Sequence, residues 1–461
     1  TSSGGASSSS STGGTSDSSA GSGSNNSGSN NTAAPRNQGA GGNALRAGNI
    51  GGVTTNPNVG IGVGSSVIGT GLGAGTGIGF GGAGSGEVGN AVGLRGTKTG
   101  RGTFRFSVAV HEGYDDNLFQ TQTDTTKSFY TNVGGGISYN FGSPRLQLSA
   151  LLNGGATYYY TRPGNKMDYT GALLFNALYK ATSRLLITFN SQTAYLSQPD
   201  VSAPGLDSTQ NGAYVFSNST LSATYQWTRK FSTVTSYNFI SIYYLDQGLN
   251  QSQGYISQTI GQQFRWLLLP KTNIVAEYRV NPVTYYGVDM DSLGQFFLLG
   301  FDQIFNARTT WNFRVGAEQR WNQNPVDGSS TYFGPYGESI LNYQVGAKTA
   351  LSWSLRYGTE PSGLADVTQR QTFRTGLSVS HQFTGHVSAN LAVSYLNNYY
   401  TQAGVTPNFS ENIVQAVIGL QYRINRLWAL DVGYQYSTTI SDQSSREFTR
   451  NVVFAGTSLN F

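Results

Sequence analysis

The sequence predicts an all-β fold, a transmembrane antiparallel up-and-down β-barrel of about eighteen strands over residues 101–461, with a Gly/Ser/Asn-rich tail over residues 1–100. Three observations predict it. Apolar and polar residues alternate in segments recurring about every 20 residues, the connections between segments are alternately short and long, and aromatic residues gather at segment ends.

The tail is mostly Gly, Ser, Asn and Thr and nearly lacks aromatic side chains. Such a segment cannot bury enough apolar surface to offset the entropy of ordering it, so a disordered periplasmic tether is expected. Its second half differs, because Asn58–Val63 and Gly77–Gly81 intersperse Val, Ile and Phe with Gly. That leaves a second reading, in which the stretch from Val59 to Phe80 docks in the barrel lumen as a plug or on a periplasmic partner.

From residue 101 the alternation is sustained. The first strand sets Phe104, Phe106, Val108 and Val110 against Arg105, Ser107, Ala109 and His111. The third sets Leu146, Leu148, Ala150 and Leu152 against Gln147, Ser149 and Asn153, and the ninth sets Ile274, Ala276, Tyr278 and Val280 against Glu277, Arg279 and Asn281. Trp311, Phe313, Val315 and Ala317 oppose Asn312, Arg314, Gly316 and Glu318 in the eleventh. Leu351, Trp353, Leu355 and Tyr357 oppose Ser352, Ser354 and Arg356 in the thirteenth, and Trp428, Leu430, Val432 and Tyr434 oppose Asp431, Gly433 and Gln435 in the seventeenth. Val453, Ala455, Leu459 and Phe461 share one face of the last. In each, one face suits lipid and the other water.

Short connections are expected near residues 142–144, 181–184, 228–230, 270–272, 306–308, 347–349, 384–386 and 424–426, with longer polar links such as Ser197 to Asn211 and Gln402 to Glu411 between them. Bacterial barrels keep short turns on the periplasmic side, which with an even strand number places both termini in the periplasm. Trp227, Trp266, Trp311, Trp353 and Trp428, with Phe141, Phe305 and Phe383, lie near short turns and predict a periplasmic aromatic girdle. The runs Tyr158–Tyr160, Tyr243–Tyr244, Tyr285–Tyr286 and Tyr399–Tyr400 predict an outer one. A soluble sandwich or propeller requires no such sorting.

Composition agrees. Charged residues are only 11% of the chain, against about 25% in a soluble domain. Yet no apolar run is long enough for a helical span. The mean hydropathy of −0.29 is what a barrel wall gives when a lipid face and a water face are averaged. The absence of Cys excludes disulfides, thiolate nucleophiles and zinc–cysteine sites. His111, His381 and His386 have no metal-binding spacing, and a net charge of +5 spread along the chain forms no basic stripe for nucleic acid. No charged n-region and apolar h-region open the sequence, so a signal peptide is expected to have been removed.

About eighteen strands enclose an aqueous lumen, whereas eight would be filled by side chains. The alternation then nominates pore-lining charges: Arg105, Glu277, Arg279, Arg314, Glu318, Arg320, Arg356, Arg374, Arg423 and Asp431. Their arginine excess points to a mild anion preference, and Arg–Glu pairs point equally to bracing of the wall. Asp115 and Asp116, within Tyr114-Asp115-Asp116-Asn117-Leu118-Phe119, are weak candidates for calcium, and more simply for a turn. No other metal or cofactor site is expected.

That Gly-Tyr-Asp-Asp-Asn-Leu-Phe ending of the first strand resembles the outer-membrane β-barrel porin families of Gram-negative-type bacteria, over about residues 101–461. The approach through Leu459 to Phe461 looks like the C-terminal signal read by the barrel-assembly machinery. The resemblance implies an outer-membrane channel passing small hydrophilic solutes among outer-membrane lipids. Known porins often trimerise, so by analogy a homo-oligomer is implied too. A structural or export-associated barrel whose tail engages periplasmic partners is the alternative. An outer-membrane hydrolase is disfavoured, because the histidines lack evident catalytic partners.

Overall fold

The computed structural model describes residues 102–197, 212–323, 331–362, 364, 367–402 and 407–461. The tail, with its Val59–Phe80 stretch, and parts of the expected Ser197–Asn211 and Gln402–Glu411 links lie outside these residues. Within them the chain forms eighteen strands. They are β1 (Thr103–Asp115), β2 (Ser128–Gly142), β3 (Leu146–Tyr159), β4 (Met167–Lys180), β5 (Leu185–Leu196), β6 (Tyr214–Gln226), β7 (Phe231–Tyr244), β8 (Tyr255–Leu269) and β9 (Thr272–Tyr285). The second half comprises β10 (Ser292–Asn306), β11 (Thr309–Asn322), β12 (Thr331–Val345), β13 (Thr349–Glu360), β14 (Val367–Gln382), β15 (Val387–Gln402), β16 (Phe409–Arg423), β17 (Trp428–Ser441) and β18 (Phe448–Asn460).

Each strand pairs antiparallel with its chain neighbours, and β1 pairs with β18 in a register running from Ser107↔Asn460 to Asp115↔Val452. The sheet therefore closes on itself. Strands this numerous leave room inside, and closure gives every strand two partners, which hydrocarbon demands of a sheet.

Alternation sorts the side chains as expected. Phe106, Val133, Leu299, Val315 and Val432 are exposed on the outer wall, while Arg279, Arg314 and Glu318 are at most 1% exposed on the inner one. The eight expected short connections are all present, and a side-chain cap shapes most of them. Thr182 Oγ1 accepts from Arg184 N at 3.1 Å and Leu185 N at 3.0 Å; Thr228 and Thr384 repeat the device with Lys230–Phe231 and His386–Val387. Asn425 Oδ1 accepts from Leu427 N and Trp428 N, each at 2.8 Å. These are the turns in which a short polar side chain replaces a backbone acceptor. Gly346, at φ +69°, supplies the left-handed residue of the β12–β13 turn.

The opposite connections are longer. The β7–β8 link carries α1 (Gln247–Gln253), capped by Asp246, whose carboxylate accepts from Leu249 N at 3.0 Å. The five tryptophans of the expected girdle lie at the short-turn end, with Trp227, Trp266 and Trp428 exposed.

The tyrosine runs require a correction. Neighbouring strand residues face opposite sides, so only Tyr158, Tyr160, Tyr243, Tyr286 and Tyr399 face outward, while Tyr159, Tyr244, Tyr285 and Tyr400 turn inward and are buried. The inward rings meet Tyr130, Tyr214, Tyr255 and Phe409 respectively, with centroids 5.7, 5.8, 5.6 and 4.4 Å apart. The outer girdle thus has an inner counterpart at the long-loop end.

The start of β1 and the end of β18 lie at the short-turn side, where Phe461 N donates to Phe106 O at 2.8 Å and Phe106 N to Phe461 O at 3.1 Å. The Phe461 side chain is exposed on the lipid face. Deleting Phe461 removes two bonds of the closing ladder and an interfacial ring, so it is expected to lower the yield of folded, heat-modifiable barrel in outer membranes. A yield equal to that of the intact chain would show that closure does not draw on this residue.

Candidate functional site

Among the described residues, the inner wall carries two clusters of buried charge and, apart from them, the buried pair of Arg446 with Glu411. The larger spans β8 to β14. Glu277 accepts from Arg279 Nε at 2.7 Å and lies 3.5 Å from Arg314 Nε. Arg314 also donates from Nη2 to Asp302 at 2.7 Å and from Nη1 to the carbonyls of Phe301 and Phe313. Arg265 lies 3.7 Å from Asp302.

Arg279 then reaches across the wall to β12, donating to Glu338 Oε1 at 2.7 Å and to the Tyr336 hydroxyl at 3.2 Å. From β9 to β12 is three strand spacings, about 14 Å along the wall. Side chains meet over that span because the wall is curved and they converge inward. The Arg279 and Arg356 guanidiniums each stand 5.7 Å from the Tyr336 ring centroid, a cation–π arrangement.

Toward the long-loop end, Glu318 pairs with Arg320 at 2.9 Å and accepts from Thr359 N at 3.0 Å. Glu360 receives three arginines: Arg356 at 3.4 Å, Arg370 at 3.2 Å and Arg374 at 3.0 Å. The cluster holds seven arginines and five carboxylates, an excess of two positive charges concentrated around Glu360.

The second cluster lies on the closure seam. Asp115 presents both oxygens to Arg450 of β18, with Nε at 3.0 and 3.1 Å and Nη2 bonded as well, and both side chains are fully buried. Asp116 accepts from Asn451 N at 2.6 Å and Asn451 Nδ2 at 2.7 Å. Asn117 Nδ2 donates to Thr449 O at 3.0 Å and Thr121 O at 2.7 Å. Three consecutive residues after the core of β1 therefore grip three consecutive residues of β18. Deeper along the seam, His111 Nε2 bonds Asp431 of β17 by passing over Gly456 of β18, where any Cβ would strike the imidazole ring.

Asp115 and Asp116, nominated for calcium or a turn, pair with Arg450 and Asn451, and the turn is there too: Asp115 Oδ1 accepts from Asn117 N at 3.0 Å and Asn117 Oδ1 from Thr121 N at 3.0 Å. A guanidinium supplies the positive charge that a cation would have supplied. Of the ten pore-lining candidates, the structure gathers Glu277, Arg279, Arg314, Glu318, Arg320, Arg356 and Arg374 into the larger cluster. The other three lie elsewhere. Asp431 belongs to the seam, Arg423 is half-buried at the short-turn rim, and Arg105 is exposed near the start of β1.

Sequence reading overlooked Arg265, Asp302, Glu338, Glu360 and Arg370, although each falls on the polar side of its strand's alternation. It also left His111 without a partner, because Asp431 is 320 residues away. His381 and His386 do sit at the short-turn end, where they bond Thr349 Oγ1 and Arg423 O, each at 2.7 Å.

Residues 90–461 match the model of the family described as "Putative beta-barrel porin 2". The chain belongs to that family. It is also similar, distantly, to solved channels. Acinetobacter baumannii OccAB4 is 10% identical, with a TM-score of 0.40 over 80% of this chain and 100% of that one. The outer-membrane protein opdK from Pseudomonas aeruginosa is 9% identical, with a TM-score of 0.41 over 78% and 99%. The copper transporter OprC is 11% identical, with a TM-score of 0.40 over 80% and 81%. No curated protein matches the chain.

The seam cluster joins the first and last strands of a porin-family barrel, with the buried Asp115–Arg450 pair at its centre. Breaking such a pair by removing one partner costs about 3–5 kcal/mol. Asp115→Arg and Arg450→Asp are each expected to lower barrel stability by that order in urea unfolding from detergent, and the double exchange to recover much of the loss. Single variants as stable as the parent would remove the seam pair from any role in closure.

Proposed function

We propose that this outer-membrane porin-family barrel is a passive diffusion channel for small hydrophilic solutes with a mild preference for anions. Short turns and both barrel ends face the periplasm in this reading, following the loop asymmetry of bacterial barrels. Leu459 and Phe461, both exposed on the lipid face of the closing segment, serve as the signal for the barrel-assembly machinery.

The observation that carries the anion preference is the two-charge excess of arginine around Glu360. Most of the remaining arginines are matched by carboxylates at hydrogen-bond distance, and their work is to brace the wall. The three on Glu360 share one acceptor, so the field they leave favours a passing anion. Arg314 is held between Glu277 and Asp302, which makes it a bracing residue and not a selectivity residue.

The test is a reversal-potential measurement in planar bilayers across a dilute salt gradient. A unit charge about 10 Å from the solute path in water is worth ~0.4 kcal/mol, or a twofold change in relative permeability. Arg370→Gln and Arg374→Gln are expected to lower the anion-to-cation ratio by about that factor each, and Glu360→Gln to raise it. The differences should shrink at high salt, where the Debye length falls to about 3 Å. Ratios unmoved by all three variants would reject the cluster as the source of selectivity, and folded protein that does not conduct would reject the channel.

A further inference from the structure

One rim of the barrel is lined with basic side chains and no acidic ones among the described turns. Among the described residues, each of the eight short connections, with its flanking strand ends, holds an exposed Arg, Lys or His, and none holds Asp or Glu. Arg145, Lys180, Arg184, Arg229, Lys230 and Lys271 represent the first four of these turns. Arg308, Lys348, His386 and Arg426 represent the other four. At the opposite end the exposed connections mix signs, with the acids Asp124, Asp246, Asp289 and Asp442 beside Lys127 and Lys166.

The turn caps fix where these side chains stand. Thr182, Thr228, Thr384 and Asn306 each accept from the backbone N–H of the residue two positions on, and that residue is Arg184, Lys230, His386 and Arg308 in turn. The turn backbone is consumed in the cap and the charged side chain is left exposed. Two lysines fold back along the wall. Lys271 Nζ donates to Phe305 O at 3.2 Å and Lys348 Nζ to Phe383 O at 3.3 Å, which sets the ammonium beside exposed girdle rings. Aromatic rings on an outer wall sit at the depth of lipid headgroups. The charge ring and the headgroup layer therefore coincide.

We infer that this rim is an interaction surface for anionic phospholipid, engaging headgroup phosphates of the leaflet that the short turns reach. Phosphates are the acceptors that Arg and Lys suit best, and the absence of competing carboxylates in the turns leaves these cations to the lipid. The inference rests on the barrel's place in the outer membrane and is independent of whether it conducts. Its effect is a retained annulus of acidic lipid, seated on the girdle and bridging neighbouring turns.

The protein carries its own reporters, since five of its six tryptophans lie at this end. Folded protein is reconstituted into phosphatidylcholine vesicles containing either dibrominated phosphatidylglycerol or dibrominated phosphatidylcholine at equal mole fraction, and tryptophan quenching is compared. A cation near an anionic headgroup favours it by a factor of about five, so phosphatidylglycerol is expected to quench at several-fold lower mole fraction in low salt. The preference should collapse in high salt and in the variant combining Arg229→Gln, Lys230→Gln, Arg308→Gln and Lys348→Gln. A charge-conserving variant, with Lys and Arg exchanged at the same four positions, should keep it.

Equal quenching by the two lipids in the parent protein would overturn the inference, even if the neutralised variant failed to fold. Preference surviving neutralisation in a heat-modifiable, folded barrel would overturn the assignment to the turns. Salt-sensitive binding of a soluble polyphosphate without lipid preference would assign the rim to a polyanion and overturn the lipid reading. Conductance of the same vesicles tests the channel separately, so either idea can fail alone.

Discussion

A sheet edge in hydrocarbon would strand a row of N–H and C=O groups, each unsatisfied group costing several kcal/mol, and the pairing of β1 with β18 removes that edge. Every other feature of the wall presupposes this closure. The alternation has a consistent inside only because the sheet has one, and the inner charges converge only because the wall curves. The seam is also where the chain is least helped by proximity, since β1 and β18 are the first and last of the eighteen strands. Side-chain chemistry is concentrated there accordingly: Asp115 on Arg450, Asp116 on Asn451, Asn117 on Thr449, and His111 on Asp431 across Gly456.

The two charge clusters do different work for related reasons. In the seam, one carboxylate meets one guanidinium with both groups fully buried, an arrangement that is neutral overall and specific in register. In the wall, carboxylates are shared among more arginines than they can neutralise, most visibly where Glu360 receives Arg356, Arg370 and Arg374. Such sharing stiffens the curved surface and leaves a residual positive field inside it. The balance of charge is therefore graded along one network, with the β9–β12 portion nearer neutrality and the Glu360 portion carrying the excess of arginine.

The outer surface shows a second polarity, along the barrel axis. Exposed Arg and Lys and five of the six tryptophans lie toward the short-turn rim, whereas exposed acids such as Asp124, Asp246, Asp289 and Asp442 lie at the long-loop end. Tight turns capped by Thr or Asn have few positions to fill, and filling them with Arg or Lys commits one rim to a single sign of charge. Longer connections accommodate both signs, as Arg162 with Asp168 illustrates at 2.6 Å.

Strand number, strand boundaries near the short turns, the apolar outer face and the placing of five tryptophans near the short turns were all legible in the sequence, because each depends on a period of two and on local turn chemistry. The polar side of that period also nominated Arg279, Arg314 and Arg320, which the structure places buried within the charge cluster. Period two reaches no further than one strand, however. It could not tell Asp431, which bonds His111 at the seam, from Glu277, which bonds Arg279 in the wall, nor bring Asp115 to an arginine 335 residues away. Nor could it split the tyrosine doublets until the register decided which ring of each pair faced in. Local alternation by itself determined that this chain is a barrel with a wet face and a greasy one. Closure of the tertiary structure decided which charges on the wet face meet, since partners distant in sequence are chosen by register and curvature, quantities that no single segment contains.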